Sequence, residues 1–405
     1  MFYKRYTCKL VILCTKSAGK YRRIPIMNLE DTLLMIPGPV PVAPRILRAM
    51  SKPIIGHRGS EFGKMYAECR ETLQEVFATK NDIFIISGSG SCAMEAAVGN
   101  IIGEKDTLVA IENGKFGERF REIGGRYGNV KSVKSDWTKG EPIDLEKVET
   151  ALAEGAKAVS LVHNETSVGI KNPASEVGKL AKKYGALFIM DGVTSIGGDD
   201  VQVDKWGVDL AVVGSQKCLG APPGASAISV SEKAWGSMVA KPPYYMDLKS
   251  YKKSADKDQT PYTPAVPLFF AMHEALLIIK EEGVQARIKR HEMYANAVRA
   301  AADGMNIEMF PQLNKHSKYS NTVSAMKIPA GIDDGKLRGG MKELGIQVSG
   351  GQGSLSGKIF RIGTMGNVSK RDILSTIEAL ELVLHKNGVV KKIGAGIEAA
   401  SNILM

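Results

Sequence analysis

Between about residues 83 and 230, short apolar runs rich in β-branched residues alternate with longer amphipathic stretches. The runs are IFIIS at 83–87, TLVAI at 107–111, AVSLVH at 158–163, ALFIMD at 186–191, LAVVG at 210–214 and SAISV at 226–230. This alternation predicts a largely parallel sheet covered by helices on both faces, an α/β arrangement. One intervening stretch, PASEVGKLAKKYG, opens at Asn172-Pro173 and closes at Gly185, a helix start and stop. After about residue 265 the texture changes. A long helical stretch over 268–303, then short strands (TVSAMKI, KIFRIG) alternating with two helices, predicts a smaller α+β domain. The closing IGAGIEAASNILM is small and weakly patterned and predicts a loose tail.

A chain of 405 residues is too long for one small core, and 44% hydrophobic residues suffice to fill two. The longest apolar stretches run only five to seven residues, against the roughly 20 needed to span a bilayer. The net charge of +11 invites a nucleic-acid reading. However, the first 26 residues hold seven basic groups and no acid, and without them the charge is +4. That segment precedes a second methionine, Met27, and reads as upstream read-through or a disordered extension in preference to a targeting peptide. A phosphate-backbone binder is then an unnecessary hypothesis. The five cysteines (Cys8, Cys14, Cys69, Cys92, Cys218) form no CxxC pair and do not cluster with the histidines. Zinc and a disulfide framework are disfavoured, and a cytoplasmic setting fits.

In open α/β sheets ligands sit beyond the carboxyl ends of strands. Three polar sites follow apolar runs there: Gly88-Ser89-Gly90-Ser91 after IFIIS, Asp191 after ALFIM, and Ser215-Gln216-Lys217 after LAVVG. A glycine-serine turn opening a helix offers unpaired N–H groups and a positive dipole end to an anion. Which anion stays open. Gly88-x-Gly90-x-x-Ala93 nearly matches a dinucleotide fingerprint, with Glu112 lying 22 residues beyond Gly90. A ligand-free turn is the blander alternative. Asp191 alone reads better as a helix cap or surface carboxylate than as a functional group, and Lys217 alone is as unremarkable. Together, an acid, an amine and an anion cradle are what pyridoxal 5'-phosphate (PLP) needs. The acid keeps the pyridinium nitrogen protonated, and the lysine, which sheds its proton when desolvated, forms the Schiff base.

The stretches IPGPVPVAPRIL, SGSGSCAMEAAVGN, NGKFGERF, HNETSVGI, DGVTSIGG, GSQKCLGAPPGASAIS and GKIFRIGTMG occur in the order of a known pattern. From Leu34 to about His385 the chain resembles class V aminotransferases, and within them the alanine–glyoxylate and serine–pyruvate group. The resemblance implies PLP-dependent transferase fold type I. Its large domain, expected over 51–267, would carry a mostly parallel seven-stranded sheet. A basic extension over 1–27 and an N-terminal segment over 28–50 precede it; a helix and small C-terminal domain over 268–388 and a tail over 389–405 follow.

By position, the resemblance implies that Ser89, Gly90, Ser91 and Gln216 hold the cofactor phosphate. Phe116 would stack on the ring, whose hydroxyl would bond Thr166; without the resemblance, core packing is the plainer reading of Phe116. Relatives often have histidine at Ser91 and tryptophan at Phe116. Thr263 matches a residue that reaches the neighbouring subunit's phosphate site, implying a homodimer, although Thr260 stands where some relatives have tyrosine. Gly38, in the Pro37-Gly38-Pro39 turn, would approach the substrate closely. Arg361 matches the arginine that grips the substrate carboxylate, where an arginine taken alone reads as a surface salt bridge. Catalysis would rest on Lys217 as proton carrier and Asp191 as support for the electron-sink ring, in a ping-pong transamination.

The default substrates are alanine, serine or aspartate as donor and glyoxylate or pyruvate as acceptor. His57-Arg58 and Arg338 offer second anion sites, which would admit aspartate, glutamate or phosphohydroxypyruvate; a loop salt bridge is the alternative for Arg58. A cysteine desulfurase needs a cysteine in the small domain, and none follows Cys218.

Overall fold

The computed structural model describes residues 32–405; the basic extension expected over 1–27 lies outside them. The central sheet has seven strands: β1 (Asp82–Ser87), β2 (Thr107–Glu112), β3 (Asn129–Lys134), β4 (Ala158–Val162), β5 (Leu187–Asp191), β6 (Leu210–Gly214) and β7 (Ala225–Val230). Their order across the sheet is β1-β7-β6-β5-β4-β2-β3, parallel except for β7, which runs against both neighbours. Strands β4 to β7 are buried at every position. Burial on both faces is why their sequences are continuous apolar runs. The strand absent from the sequence reading, β3, is the edge strand NVKSVK, mostly exposed and too polar to announce itself.

Two apolar cores organise the chain. The first gathers helices and strands from Ile46 to Ile279 around the sheet. The second holds Met35 together with residues from Tyr294 to Leu404. It packs on an antiparallel sheet of β8 (Val323–Lys327), β9 (Ser349–Gly350) and β10 (Ile359–Gly363), in the order β8-β10-β9. The start of the described chain therefore belongs with its end: Leu33–Leu34 pairs in parallel with Ile346–Gln347. Only after passing Gly38 does the chain enter the first core, through the helix Pro44–Met50.

Two expectations are corrected. The helical stretch over 268–303 is two helices, Val266–Glu282 and Val284–Gly304, parted at Gly283, whose φ of +82° suits a residue without a side chain. The expected loose tail contains a helix, Ala395–Leu404, packed on Val284–Gly304 with Gly396, Ala400 and Leu404 buried. Its small residues permit close approach: a Cβ added to Gly304 would lie 2.9 Å from the Ala395 carbonyl oxygen. Glu381 is buried and accepts the Gly396 N–H at 2.9 Å.

The helix Val284–Gly304 also ties the two cores together through charged side chains. Arg287, 1% exposed, pairs with Glu282 at 2.7 Å and donates to the carbonyl of Cys218 at 2.7 Å. Arg290 shares Glu282 and donates to the carbonyls of Gly366 and Val368. His291 accepts the Gly366 N–H at 3.0 Å. The turn after Lys217 and the segment after β10 are thus fastened to one helix end. Among the described residues no helix is long and apolar enough to cross a membrane.

Candidate active site

Strands β5 and β6 are parallel neighbours, and Asp191, the last residue of β5, lies opposite Val212 in β6. Beyond β6 the chain turns as Ser215-Gln216-Lys217. Ser215 Oγ donates to the Pro222 carbonyl at 2.5 Å, and the Gly220 N–H closes the turn on the Lys217 carbonyl at 2.9 Å. The two strand ends therefore bring an amine and a carboxyl into one electrostatic neighbourhood. Burial pulls the Lys217 ammonium down to about 8, against the opposing pull of Asp191. Burial pushes the Asp191 carboxyl up to about 7, partly offset by the Val193 N–H that it accepts at 2.7 Å. Both shifts come from taking a charge out of water.

The glycine-serine turn follows β1, two strands from β6, yet it reaches the same place. Helix Gly90–Gly99 packs across β6 and β7. A Cβ on Gly90 would lie 2.9 Å from Val193 Cγ2, in the loop after Asp191, and 3.9 Å from Gly214 Cα. Ser89 is the N-cap, but no side chain caps the helix, leaving first-turn N–H groups for an anion. Gln216 Oε1 is buried without a hydrogen-bond partner. Lys217 Nζ donates to the carbonyl of Pro37. The next residue, Gly38, has φ +91°, and a Cβ there would fall 2.5 Å from Lys217 Cδ and 2.6 Å from Nζ. Gly38→Ala should therefore displace the lysine, and a fall in kcat/KM of about 10²-fold is expected from a misplacement near 1 Å. Steady-state kinetics check this; a variant within twofold of wild type would show that the lysine tolerates the shift.

The remaining expected residues form a second group. Glu165, fully buried, accepts the N–H groups of Phe116 and Gly117 at 3.1 Å, and both the N–H and hydroxyl of Ser167. It anchors the start of helix Lys115–Tyr127, which carries the half-buried Phe116. Thr166 Oγ1 lies 2.8 Å from Thr194 Oγ1. Arg361, in β10, donates to the Thr166 carbonyl at 3.0 Å and twice to the Gly350 carbonyl. Burial lowers its guanidinium to about 10, with Glu165 opposing. Arg119 donates to Ser91 Oγ at 2.9 Å.

The structure therefore brings Lys217, Asp191, Gly38 and Gly90 together, joins Ser91 to the Phe116 helix, and joins Arg361 to Thr166. Thr263 is exposed, two residues before Ala265, whose N–H donates to Ser87 Oγ at 3.0 Å just ahead of the glycine-serine turn. Arg58 is spent on the carbonyls of Thr260 and Pro261 and on Gln259. Arg338 is paired with Asp334. Glu112, the candidate ribose acceptor of a dinucleotide site, is 2% exposed and paired with Arg121 at 3.0 Å. The sequence reading passed over Arg119, Glu165 and Thr194. Glu165 and Thr194 each lie a few residues past a strand end, the signal that singled out Asp191; Arg119, inside a helix, has none.

The groups left unspent suit pyridoxal 5'-phosphate. Uncapped N–H groups suit its phosphate, a low-pKa amine its carbonyl, and a buried carboxyl its ring nitrogen. Among the described residues no cluster of His, Cys, Asp or Glu could hold a metal ion.

Comparison with known proteins is consistent with this site. The family model described as aminotransferase class-V matches residues 48–373. An uncharacterized aminotransferase of Methanocaldococcus jannaschii is 45% identical over 92% of this chain and 97% of its own. The soluble hydrogenase 42 kDa subunit of Anabaena cylindrica is 40% identical over 92% of this chain and 99% of its own. Among solved structures, ureidoglycine–glyoxylate aminotransferase from Bacillus subtilis superposes with a TM-score of 0.87 at 32% identity, covering 92% of this chain and 98% of that one.

Proposed function

The chain belongs to the class-V aminotransferase family of pyridoxal 5'-phosphate-dependent enzymes, and from that premise we propose that it moves an amino group from alanine or serine to glyoxylate. The observation that carries the reading is the desolvated Lys217 amine beside the Asp191 carboxyl, on adjacent strand ends. When bound, pyridoxal 5'-phosphate supplies a carbonyl that condenses with amines and a ring that accepts the electron pair left when the Cα–H bond breaks.

The protein's part is placement and proton handling. Lys217 would hold the cofactor through Nζ, yield to the incoming amine, and then take the α-proton as general base and return it. An ordinary lysine is almost wholly protonated near neutrality; one held at about 8 keeps a usable free-amine fraction. Asp191 would hold the ring-nitrogen proton, the charge pairing that its burial demands. Ser89, Gly90, Ser91 and Gln216 would bind the phosphate, Phe116 the ring face and Thr166 the ring hydroxyl. Arg361 would grip the substrate carboxylate with Gly38 close by. The oxo acid leaves before the acceptor enters, so both substrates use one site in turn.

The pairing of Arg338 with Asp334 and of Arg58 with backbone carbonyls favours a donor without a second acidic group. Pyruvate is the second acceptor by the same reasoning. Arg58 instead braces the segment that carries Thr263, which in a homodimer would reach the neighbouring subunit's phosphate site. The free thiols of Cys69, Cys92 and Cys218 suit a reducing cytoplasm.

A panel of amino donors against oxo-acid acceptors tests the assignment. Alanine or serine with glyoxylate should give glycine with kcat/KM at least about tenfold above aspartate or glutamate with phosphohydroxypyruvate. Arg58→Ala should leave that ranking unchanged. No glycine from any donor would end the glyoxylate assignment, and a dicarboxylic preference lost in Arg58→Ala would restore a second anion site.

A further inference from the structure

Arg119 lies on helix Lys115–Tyr127, one turn beyond Phe116, with its guanidinium 4.8 Å from the centre of the Phe116 ring. The same guanidinium donates through Nη1 to Ser91 Oγ at 2.9 Å. It therefore touches two residues on opposite ends of the expected ligand: one at the phosphate turn, one at the ring.

Of the other cations of this helix, Arg126 is exposed and makes no ion pair among the described residues, whereas the two less exposed ones have found anions. Lys115 pairs with Glu118 at 2.7 Å, and Arg121 with Glu112 at 3.0 Å and Glu122 at 3.5 Å. Arg119 is half-buried and makes no ion pair among the described residues. Of its five N–H groups, one is spent on Ser91. Partial burial of an unpaired cation is costly, and one aromatic face offsets only part of the cost. Meanwhile the phosphate cradle is assembled from neutral donors, namely serine hydroxyls and backbone N–H groups. A phosphate monoester brings close to two negative charges, and a helix end offers about half a positive one. Arg119 also lies within electrostatic reach of both Asp191 and Lys217.

We propose that Arg119 is a further cofactor-binding residue, supplying beside Ser91 the cationic charge that matches the phosphate of pyridoxal 5'-phosphate. The proposal rests on the cofactor reading above. It makes Arg119, rather than Phe116 alone, the reason this helix is drawn against the glycine-serine turn.

Titration of cofactor-free protein with pyridoxal 5'-phosphate and with pyridoxal, which lacks the phosphate, separates the roles by absorbance and fluorescence. In Arg119→Gln, the Kd for the phosphorylated form should rise about 10–100-fold, the loss of a charge-assisted contact, while that for pyridoxal changes less than about twofold. Arg119→Met, which keeps the aliphatic bulk against Phe116, should behave alike and guards against misfolding of the glutamine variant. Arg119→Lys should recover most of the lost affinity. Inorganic phosphate should raise the Tm of cofactor-free wild type and lose that effect in Arg119→Met. Equal weakening of both ligands would overturn the proposal in favour of ring stacking alone, as would unchanged affinity for the phosphorylated form. Failure of wild type to bind pyridoxal 5'-phosphate would instead sink the cofactor reading.

Discussion

Lys217→Ala is expected to lower transaminase turnover by about 10⁴-fold or more, because one amine serves as both covalent anchor and proton carrier. The geometry leaves no understudy. Lys217 Nζ is tethered to the carbonyl of Pro37 and faces Gly38, and Arg119 and Arg361, the nearby cations that act on it, are guanidiniums, which do not give up protons near neutrality. Borohydride treatment followed by mass spectrometry should find cofactor fixed to wild type and none to the variant. Added methylamine should recover part of the proton transfer if the side chain is missing but the pocket is intact. Turnover within tenfold of wild type would assign the base to another residue.

Asp191→Asn is expected to cut kcat by about 10²–10³-fold, the usual loss when one preorganised electrostatic group is removed from a reacting centre. Its second signature needs no activity. In the cofactor-free protein the Asp191 carboxyl titrates at about 7, against an ordinary value of 3.8, because burial disfavours its charge. Between those values the folded protein keeps a proton that the unfolded chain releases. The resulting stabilisation is complete below about pH 4 and is lost as pH rises through about 7. Asparagine has no such titration. Its Tm should depend less on pH between 4 and 7, and at pH 8 it should exceed that of wild type, which there buries a carboxylate charge. Parallel Tm profiles for the two proteins would mean that the carboxylate is already compensated in the cofactor-free state.

The central strands were legible because burial on both faces forces consecutive apolar positions, and β4 to β7 have nothing else in them. Edge strand β3 was not, since one ladder and a mostly wet surface leave it free to be polar. The break at Gly283 was hidden because one glycine within a long helical stretch can equally sit inside a helix. The C-terminal helix was misread because Gly396 and Ala400, weak as local signals, are selected by the closeness of Val284–Gly304. Lys217 and Asp191 could be found because a strand end predicts where a side chain emerges. Arg119 could not: what distinguishes it is the lack of a carboxylate partner, a property of neighbours far apart in sequence. Nor could the Pro37 carbonyl, since any residue carries one.

The pairing of Leu33–Leu34 with Ile346–Gln347 has a consequence for biogenesis. Gly38, whose bare backbone abuts the lysine, is held in position by partners about three hundred residues downstream, a very long loop to close. A ribosome that has translated the whole central sheet has therefore made both strand ends of the site but not its roof. Vitamin capture is accordingly expected to await the small domain, and nascent chains halted before it should leave the reactive amine uncovered.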